Sequence, residues 1–194
     1  MTSDQVAGNV FVAGFGDGAV RVYDQRLKPV NAMVRAWKEH KQWITNVHMQ
    51  RGGLRELVSG SRNGEIKLWD IRMGAPLRTI RATRDTLRSL SVHEHAPVFA
   101  TWVLQLLHIV TRTVLMSISA RRGSEKHKIN VFNVNGAFLN SIEPYSSFLQ
   151  HNRSNPISTT AFHPHRMMLA CSALHDNHIN LFTCEDRRRN ALDG

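Results

Sequence analysis

Cysteine is scarce in this chain of 194 residues. Its two cysteines, Cys171 and Cys184, form no CxxC pair, so the sequence offers neither a disulfide framework nor a zinc ribbon, and both read as ordinary thiols. The opening stretch MTSDQVAGNVF lacks a basic start, an apolar core and a small-residue cleavage site, and does not read as a secretory signal. No glycine-rich phosphate loop follows a strand and opens a helix. The GxGxG of GFGDG (Gly14–Gly18) reads instead as a hairpin turn. A nucleophile elbow is also missing. These gaps argue against nucleotide binding and hydrolytic chemistry, and no cofactor is expected.

Charge of one sign is not lacking, but it is not clustered either. The formal net charge is +10, yet the positive residues stand singly (Arg21, Lys28, Arg55, Lys67, Arg88). Only Arg187, Arg188 and Arg189 form a run, beside Glu185 and Asp186 in a polar tail at 185–194. With no motif of a nucleic-acid-binding fold beside it, the charge does not call for a nucleic-acid partner. The pairs His93-x-His95 and His163-x-His165 have metal-ligand chemistry. No cysteine or acidic cluster completes a tetrahedral set, and both pairs fall at the same place in two repeats, so they read as turn residues.

What the sequence does contain is repetition. GFGDGAVRVYD (Gly14–Asp24) lies over GSRNGEIKLWD (Gly60–Asp70) at an offset of 46. Shorter copies follow in KHKINVFN (Lys126–Asn133) and DNHINLFT (Asp176–Thr183). A second register sets LRSLSVHEHAPVFAT (Leu87–Thr101) over ISTTAFHPHRMMLAC (Ile157–Cys171) at an offset of 70. Within EIKLWD, Ile66, Leu68 and Asp70 fall on one face and Lys67 and Trp69 on the other, the period of two that defines a strand. Asp17-Gly18 and Asn63-Gly64 are tight-turn dipeptides, tolerant of positive φ, that join antiparallel neighbours. One unit therefore reads as four strands, at 43–49, 56–61, 65–70 and 77–81.

A four-stranded repeat of about 40–45 residues ending in Trp-Asp resembles a WD40 propeller blade. The expected fold is all-β: an incomplete WD40 β-propeller of about three and a half blades, each of four antiparallel strands, within a ring of roughly seven. In the first unit, residues 10–24 supply only the two middle strands. The resemblance also implies a hydrogen-bonded set, falling here on His40, Ser59, Asn63 and Trp69. Asn63 stands where the family usually has aspartate, so its bond to His40 would lack charge assistance. Other copies depart further, with Tyr23, Phe132 and Phe182 in place of the tryptophan.

The repeats isolate one segment. Thr101 matches Ser59 at an offset of 42, whereas Ser124 matches Ser61 at 63, so 21 residues, Trp102 to Arg122, are inserted between the second and third strands of the third unit. The segment is apolar, but Gln105, His108, Arg112, Ser117 and Ser119 interrupt it, and a membrane span needs roughly 20 mostly apolar residues in succession. Its β-branched residues (Val103, Ile109, Val110, Thr111, Thr113, Val114) weaken a helical reading. It reads as an in-frame stretch foreign to the blade. The domain is thus a partial propeller over 1–184, interrupted at 102–122, with the tail at 185–194.

Two surface features carry the functional expectations. The long connection 143–156 bears Tyr145, Phe148 and Leu149 among polar residues and is a candidate partner-contact loop. The endings YDQR (Tyr23–Arg26) and WDIR (Trp69–Arg72) resemble the motif by which some WD40 substrate receptors dock on the cullin-4 ubiquitin ligase adaptor. Beyond generic blades, GFGDGAVRVYDQR, WKEHKQWITNVHMQ, SVHEHAPVFAT, INVFNVNGAFLNSI and AFHPHRMMLACSA together resemble the C-terminal propeller of the Raptor family, scaffold subunits of TOR complex 1. That resemblance implies a non-catalytic scaffold in nutrient-dependent growth signalling. It also implies TOR kinase and other complex subunits as protein partners, no direct membrane insertion, and a cytoplasmic location with recruitment to the vacuolar or lysosomal surface. The chain would be the end of a larger protein, lacking the rest of its own propeller. The alternative is a substrate receptor of a cullin-4 ligase, resting on Asp24/Arg26 and Asp70/Arg72.

Overall fold

The computed structural model describes residues 1–3, 8–49, 56–82, 86–93, 98–104, 129–133, 135–142, 157–173 and 178–183. These residues form four consecutive antiparallel sheets. The first holds β1 (Thr2–Ser3), β2 (Val10–Gly14), β3 (Val20–Asp24) and β4 (Met33–Trp37), with a single 3-10 turn at Pro29–Asn31 before β4. The second holds β5 (Ile44–Met49), β6 (Glu56–Ser61), β7 (Glu65–Asp70) and β8 (Arg78–Arg81). In the third are β9 (Thr86–Val92), β10 (Val98–Leu104), β11 (Ile129–Asn133) and β12 (Phe138–Ile142). The fourth has three strands among the described residues: β13 (Ile157–Phe162), β14 (Met168–Ala173) and β15 (Ile179–Thr183).

Strands pair in chain order within every sheet, the meander of a propeller blade. The sequence reading gave the first sheet only its two middle strands, but both flanking strands are present. Thr2 and Ser3 pair with Val12 and Phe11, and β4 pairs with β3 from Val20↔Trp37 to Tyr23↔Met33. Two polar residues carry no readable alternation, which is why β1 escapes a pattern search.

The tight turns sit where the dipeptides place them. Gly18 and Gly64 both have φ of 81°, and Asp17 Oδ1 and Asn63 Oδ1 accept the amides of Ala19 and Glu65 two residues on, local bonds that fix the turn. At Gly18 the demand is double, because a Cβ would run into the carbonyl oxygen of His40.

The core lies between sheets rather than within them. Val12, Val20, Val22 and Trp37 of the first sheet meet Val47, Met49, Leu57 and Trp69 of the second, with the two indoles 5.0 Å apart. Val58, Ile66 and Ile80 of the second meet Leu87, Leu90, Val92, Phe99 and Phe132 of the third. Ala100 and Ile129 of the third meet Ile157, Leu169 and Cys171 of the fourth. A strand in an inner sheet is thus covered on both faces. Along β7, Ile66 serves one interface and Trp69 the other, as the alternation predicts. Among the described residues the fourth sheet has one open face, where Ile179 and Leu181 are 70% and 62% exposed.

Polar bonds tie neighbouring sheets edge to edge. Asn46 Nδ2 donates to the carbonyl of Leu90 at 2.6 Å, Ser89 and Thr160 join hydroxyls at 3.1 Å, and Ser91 Oγ accepts the amide of Phe162 at 3.0 Å. Each satisfies a polar group that the stacking would otherwise strand.

Strand β10 continues to Leu104, with Trp102 opposite Ile129. The first three residues of the expected insertion therefore lie within the blade, while 105–122 fall outside the described residues. The same register explains the boundary. Gly14↔Val20, Gly60↔Ile66 and Trp102↔Ile129 are equivalent pairs in successive sheets, so Trp102 occupies a position that is glycine in the first two.

Candidate functional site

Three of the four residues implied by the blade pattern come together in the second sheet. His40, on the approach to β5, is 4% exposed; Ser59 on β6 is fully buried and Trp69 on β7 is 1% exposed. Trp69 Nε1 donates to Ser59 Oγ at 2.8 Å, and the same oxygen lies 2.7 Å from His40 Nε2. An indole can only donate, so Ser59 accepts from Trp69 and passes its own proton to His40 Nε2. That direction leaves no hydroxyl proton stranded, and it puts the remaining imidazole proton on Nδ1, facing Glu65 Oε2 at 4.0 Å. Four angstroms is beyond hydrogen-bonding range, and Nδ1 has no bonded partner.

Asn63 is the fourth residue, and it is not brought to His40. Its side-chain oxygen is committed to the amide of Glu65, the same duty that Asp17 performs in the first sheet. Glu65 faces the histidine instead, a residue the sequence reading did not single out. Burial dominates the electrostatics of this set. It pushes the His40 pKa down to about 4, Lys67 adds to the depression, and Glu65 opposes it. His40 is therefore neutral at physiological pH, as the hydrogen-bond direction requires. Lys67 is buried alongside and donates from Nζ to Thr79 Oγ1 at 3.0 Å.

The third sheet shows what happens when the set is incomplete. Thr101 pairs with Asn130 as Ser59 pairs with Lys67, and Phe132 stands at the register of Trp69. Phenylalanine has no N–H to give, and the fully buried Thr101 hydroxyl has no partner. Only the second sheet carries the donor, the hydroxyl and the imidazole together among the described residues.

The two Asp-x-Arg endings are folded back on themselves. Arg26 forks onto Asp24 through Nε at 2.9 Å and a terminal nitrogen at 2.6 Å. Arg72 does the same on Asp70 at 3.0 and 2.6 Å. Such bidentate pairs are strong in geometry. The Arg26 fork, together with its backbone amide, holds the Asp24 pKa down to about 2. Both arginine side chains are more than half exposed, with Nε and one terminal nitrogen engaged on their own aspartate.

The histidine pairs take structural places. His93 Nε2 bonds the carbonyl of Arg166 at 3.1 Å, and His163 Nδ1 accepts the amides of His165 and Arg166, both at 3.1 Å. His95 lies outside the described residues, as do Tyr145, Phe148 and Leu149 of the candidate contact loop.

A family model described as WD40, the WD domain or G-beta repeat, matches residues 31–70, the span that contains the whole His40–Trp69 set. The chain is 40% identical to the Target of rapamycin complex 1 subunit KOG1 of Saccharomyces cerevisiae, over 97% of this chain and 13% of that protein. It is 39% identical to the Target of rapamycin complex 1 subunit mip1 of Schizosaccharomyces pombe, over 95% of this chain and 12% of the relative. Among solved structures, Chaetomium thermophilum Raptor superposes with a TM-score of 0.77 at 51% identity, covering 95% of this chain and 15% of that one. The chain belongs to the Raptor family. It spans about an eighth of the length of these relatives. A mitotic checkpoint complex structure, at 16% identity and a TM-score of 0.66, shares the fold alone.

Within the Raptor family frame, the four sheets are WD40 blades. What sequence reasoning missed is the surroundings of the site. Glu65 and Lys67 stand within an ordinary strand pattern, and the bonds between blades join residues with no local spacing to betray them. Trp43 was placed at the start of a strand, but β5 begins one residue later and Trp43 is left 62% exposed.

Proposed function

We propose that the chain is a non-catalytic protein-interaction scaffold that takes part in assembling TOR complex 1 in nutrient-dependent growth signalling. One observation carries this reading: its likeness to subunits of that complex extends over 97% of the chain at 40% identity. The architecture supports it. Blades locked to one another by buried apolar faces hold their turns rigidly, the property required of a docking platform. The proposal includes TOR kinase and its companion subunits as partners. It also includes a cytoplasmic location with recruitment to the vacuolar or lysosomal surface through those partners.

The reading as a cullin-4 substrate receptor is not favoured. Its arginines are forked onto their own aspartates, and the relatives above are TOR complex subunits.

The deciding experiment replaces the corresponding segment of tagged KOG1 with this chain and measures the TOR kinase recovered with the hybrid. Recovery close to that of unmodified KOG1 is expected. A hybrid that accumulates normally yet loses the kinase, or brings down the ligase adaptor in its place, would overturn the proposal.

A further inference from the structure

The turns between the first and second blades enclose an open recess of about 660 Å³, lined by Gly16, Asp17, Lys41, Gln42, Trp43, Arg62 and Thr86. Its centre is Trp43. An exposed indole is unusual enough to need a reason, because this side chain carries more apolar area than any other. Here the backbone leaves no choice. The Trp43 carbonyl accepts the amide of Arg62 at 2.9 Å and the Ser61 hydroxyl at 3.2 Å, while the amide of Ile44 is held by the carbonyl of Phe15 at 3.1 Å. The segment is pinned to the β2–β3 turn on one side and the β6–β7 turn on the other. The indole is thereby presented outward, resting against Gly16 with the Arg62 guanidinium 5.8 Å from its ring centre.

The charge around it is predominantly positive. Asp17, the acid in the recess, is paired with Arg21 at 3.4 Å, and Arg21 itself lies over the Phe15 ring. Lys41 and Arg62 have no ion-pair partner among the described residues. The recess therefore combines a fixed aromatic platform with two cations that no acid among the described residues pairs with, in a chain of net charge +10. Aromatic and arginine side chains held in place in this way are the usual anchors of protein recognition.

We propose that this recess docks a short acidic peptide segment of a protein partner. An apolar or prolyl residue would lie on Trp43, and a neighbouring carboxylate or phosphoryl group on Lys41 and Arg62. Two cations with no ion-pair partner among the described residues suit a single acidic side chain. A phosphodiester backbone draws its affinity from a longer row of cations. The proposal rests on the scaffold reading and gives one partner contact a place and a chemistry.

The test uses the full chain and two fluorescein-labelled peptides of alternating glutamate and proline, one with phosphoserine in place of each glutamate. Single-stranded DNA of matched charge is the comparison. Binding of a peptide with quenching of tryptophan emission is expected. Trp43→Ala should weaken it about tenfold, Lys41→Gln and Arg62→Gln up to about fivefold each, and Trp43→Phe should largely restore it. All three positions are at the surface, so unchanged melting temperatures check that the variants fold. Tighter binding of the phosphorylated peptide assigns the site to a modified partner, and equal binding to a constitutively acidic one. No binding of either peptide, binding indifferent to Trp43→Ala and Arg62→Gln, or DNA binding as tight as peptide binding would overturn the proposal. Such a failure would leave kinase recovery in the KOG1 hybrid untouched, so the two readings fall separately.

Discussion

Trp69 Nε1 donates to Ser59 Oγ across the β6–β7 hairpin at 2.8 Å, and that oxygen has no exposure to solvent. The bond joins the residue that names the repeat to a hydroxyl ten positions earlier, and the same oxygen reaches His40 at 2.7 Å. Removing it strands two buried groups at once.

Ser59→Ala is therefore expected to lower stability by about 2–3 kcal/mol, since both the Trp69 N–H and His40 Nε2 lose their partner in a dry site. The equivalent change in the third blade, Thr101→Val, should cost nothing or stabilise slightly, because that hydroxyl is buried and already unbonded. Urea unfolding of both variants measures the contrast. Equal losses would show that the hydroxyl position matters for shape and not for its hydrogen bonds.

The His40 set also predicts a pH dependence. The folded pKa is depressed to about 4 from an ordinary 6.5, chiefly by burial, so the unfolded chain takes up a proton that the folded chain refuses. The stabilisation is complete above about 6.5 and is lost as pH falls toward about 4, by on the order of 3 kcal/mol. The melting temperature should drop across that window, and His40→Gln should flatten the profile there. A wild-type curve that stays flat between those values would show that His40 remains able to protonate in the fold.

Much of this was legible in the residues. Ser59, Trp69 and His40 were placed by a repeat whose turns and aromatic positions recur, because each blade solves the same packing problem. Asn63 was misread in role, since its side chain bonds locally to Glu65 and no spacing rule separates a turn-forming asparagine from one that reaches across a blade. The two-residue strand at Thr2–Ser3 was invisible because pairing, not pattern, makes it a strand. The docking of Trp43 on Gly16 was likewise out of reach, being a contact between blades.

Gly18 offers a backbone test. Its φ of 81° and the His40 carbonyl at its α-carbon both oppose a side chain, so Gly18→Ala should cost about 2–4 kcal/mol. Gly74 has open space around it and no positive φ. Gly74→Ala should change stability by less than about 0.5 kcal/mol. Similar melting temperatures for the two variants would contradict the packing of the first turn on His40.

The open face of β15 predicts behaviour in solution. Ile179 and Leu181 are both more than half exposed on the same face of a strand, an arrangement that promotes association. The chain should self-associate at micromolar concentration, and Ile179→Lys with Leu181→Lys should shift it toward monomer in analytical ultracentrifugation. A wild-type chain that sediments as a monomer throughout would show that this face is inert.

The apolar segment at 102–122 bears on the stability of the third blade. In the first two blades the residue opposite Val20 or Ile66 is glycine, and it abuts the inner strand of the next blade. A Cβ on Gly14 would run into Ile44, and one on Gly60 would come within 2.7 Å of Leu87. Trp102 holds that position in the third blade. Excising 102–122 joins Thr101 to Gly123, which restores glycine at the position it holds in the first two blades and serine at the place of Ser61. The shortened chain should therefore fold more stably, by about 1–3 kcal/mol, with a sharper thermal transition. Trp102→Gly alone should recover only part of that gain, because the other inserted residues still lengthen the connection between the two strands. If the excised chain melts lower than the intact one, the segment belongs to the blade, and the glycine equivalence at 14, 60 and 123 is a coincidence of register.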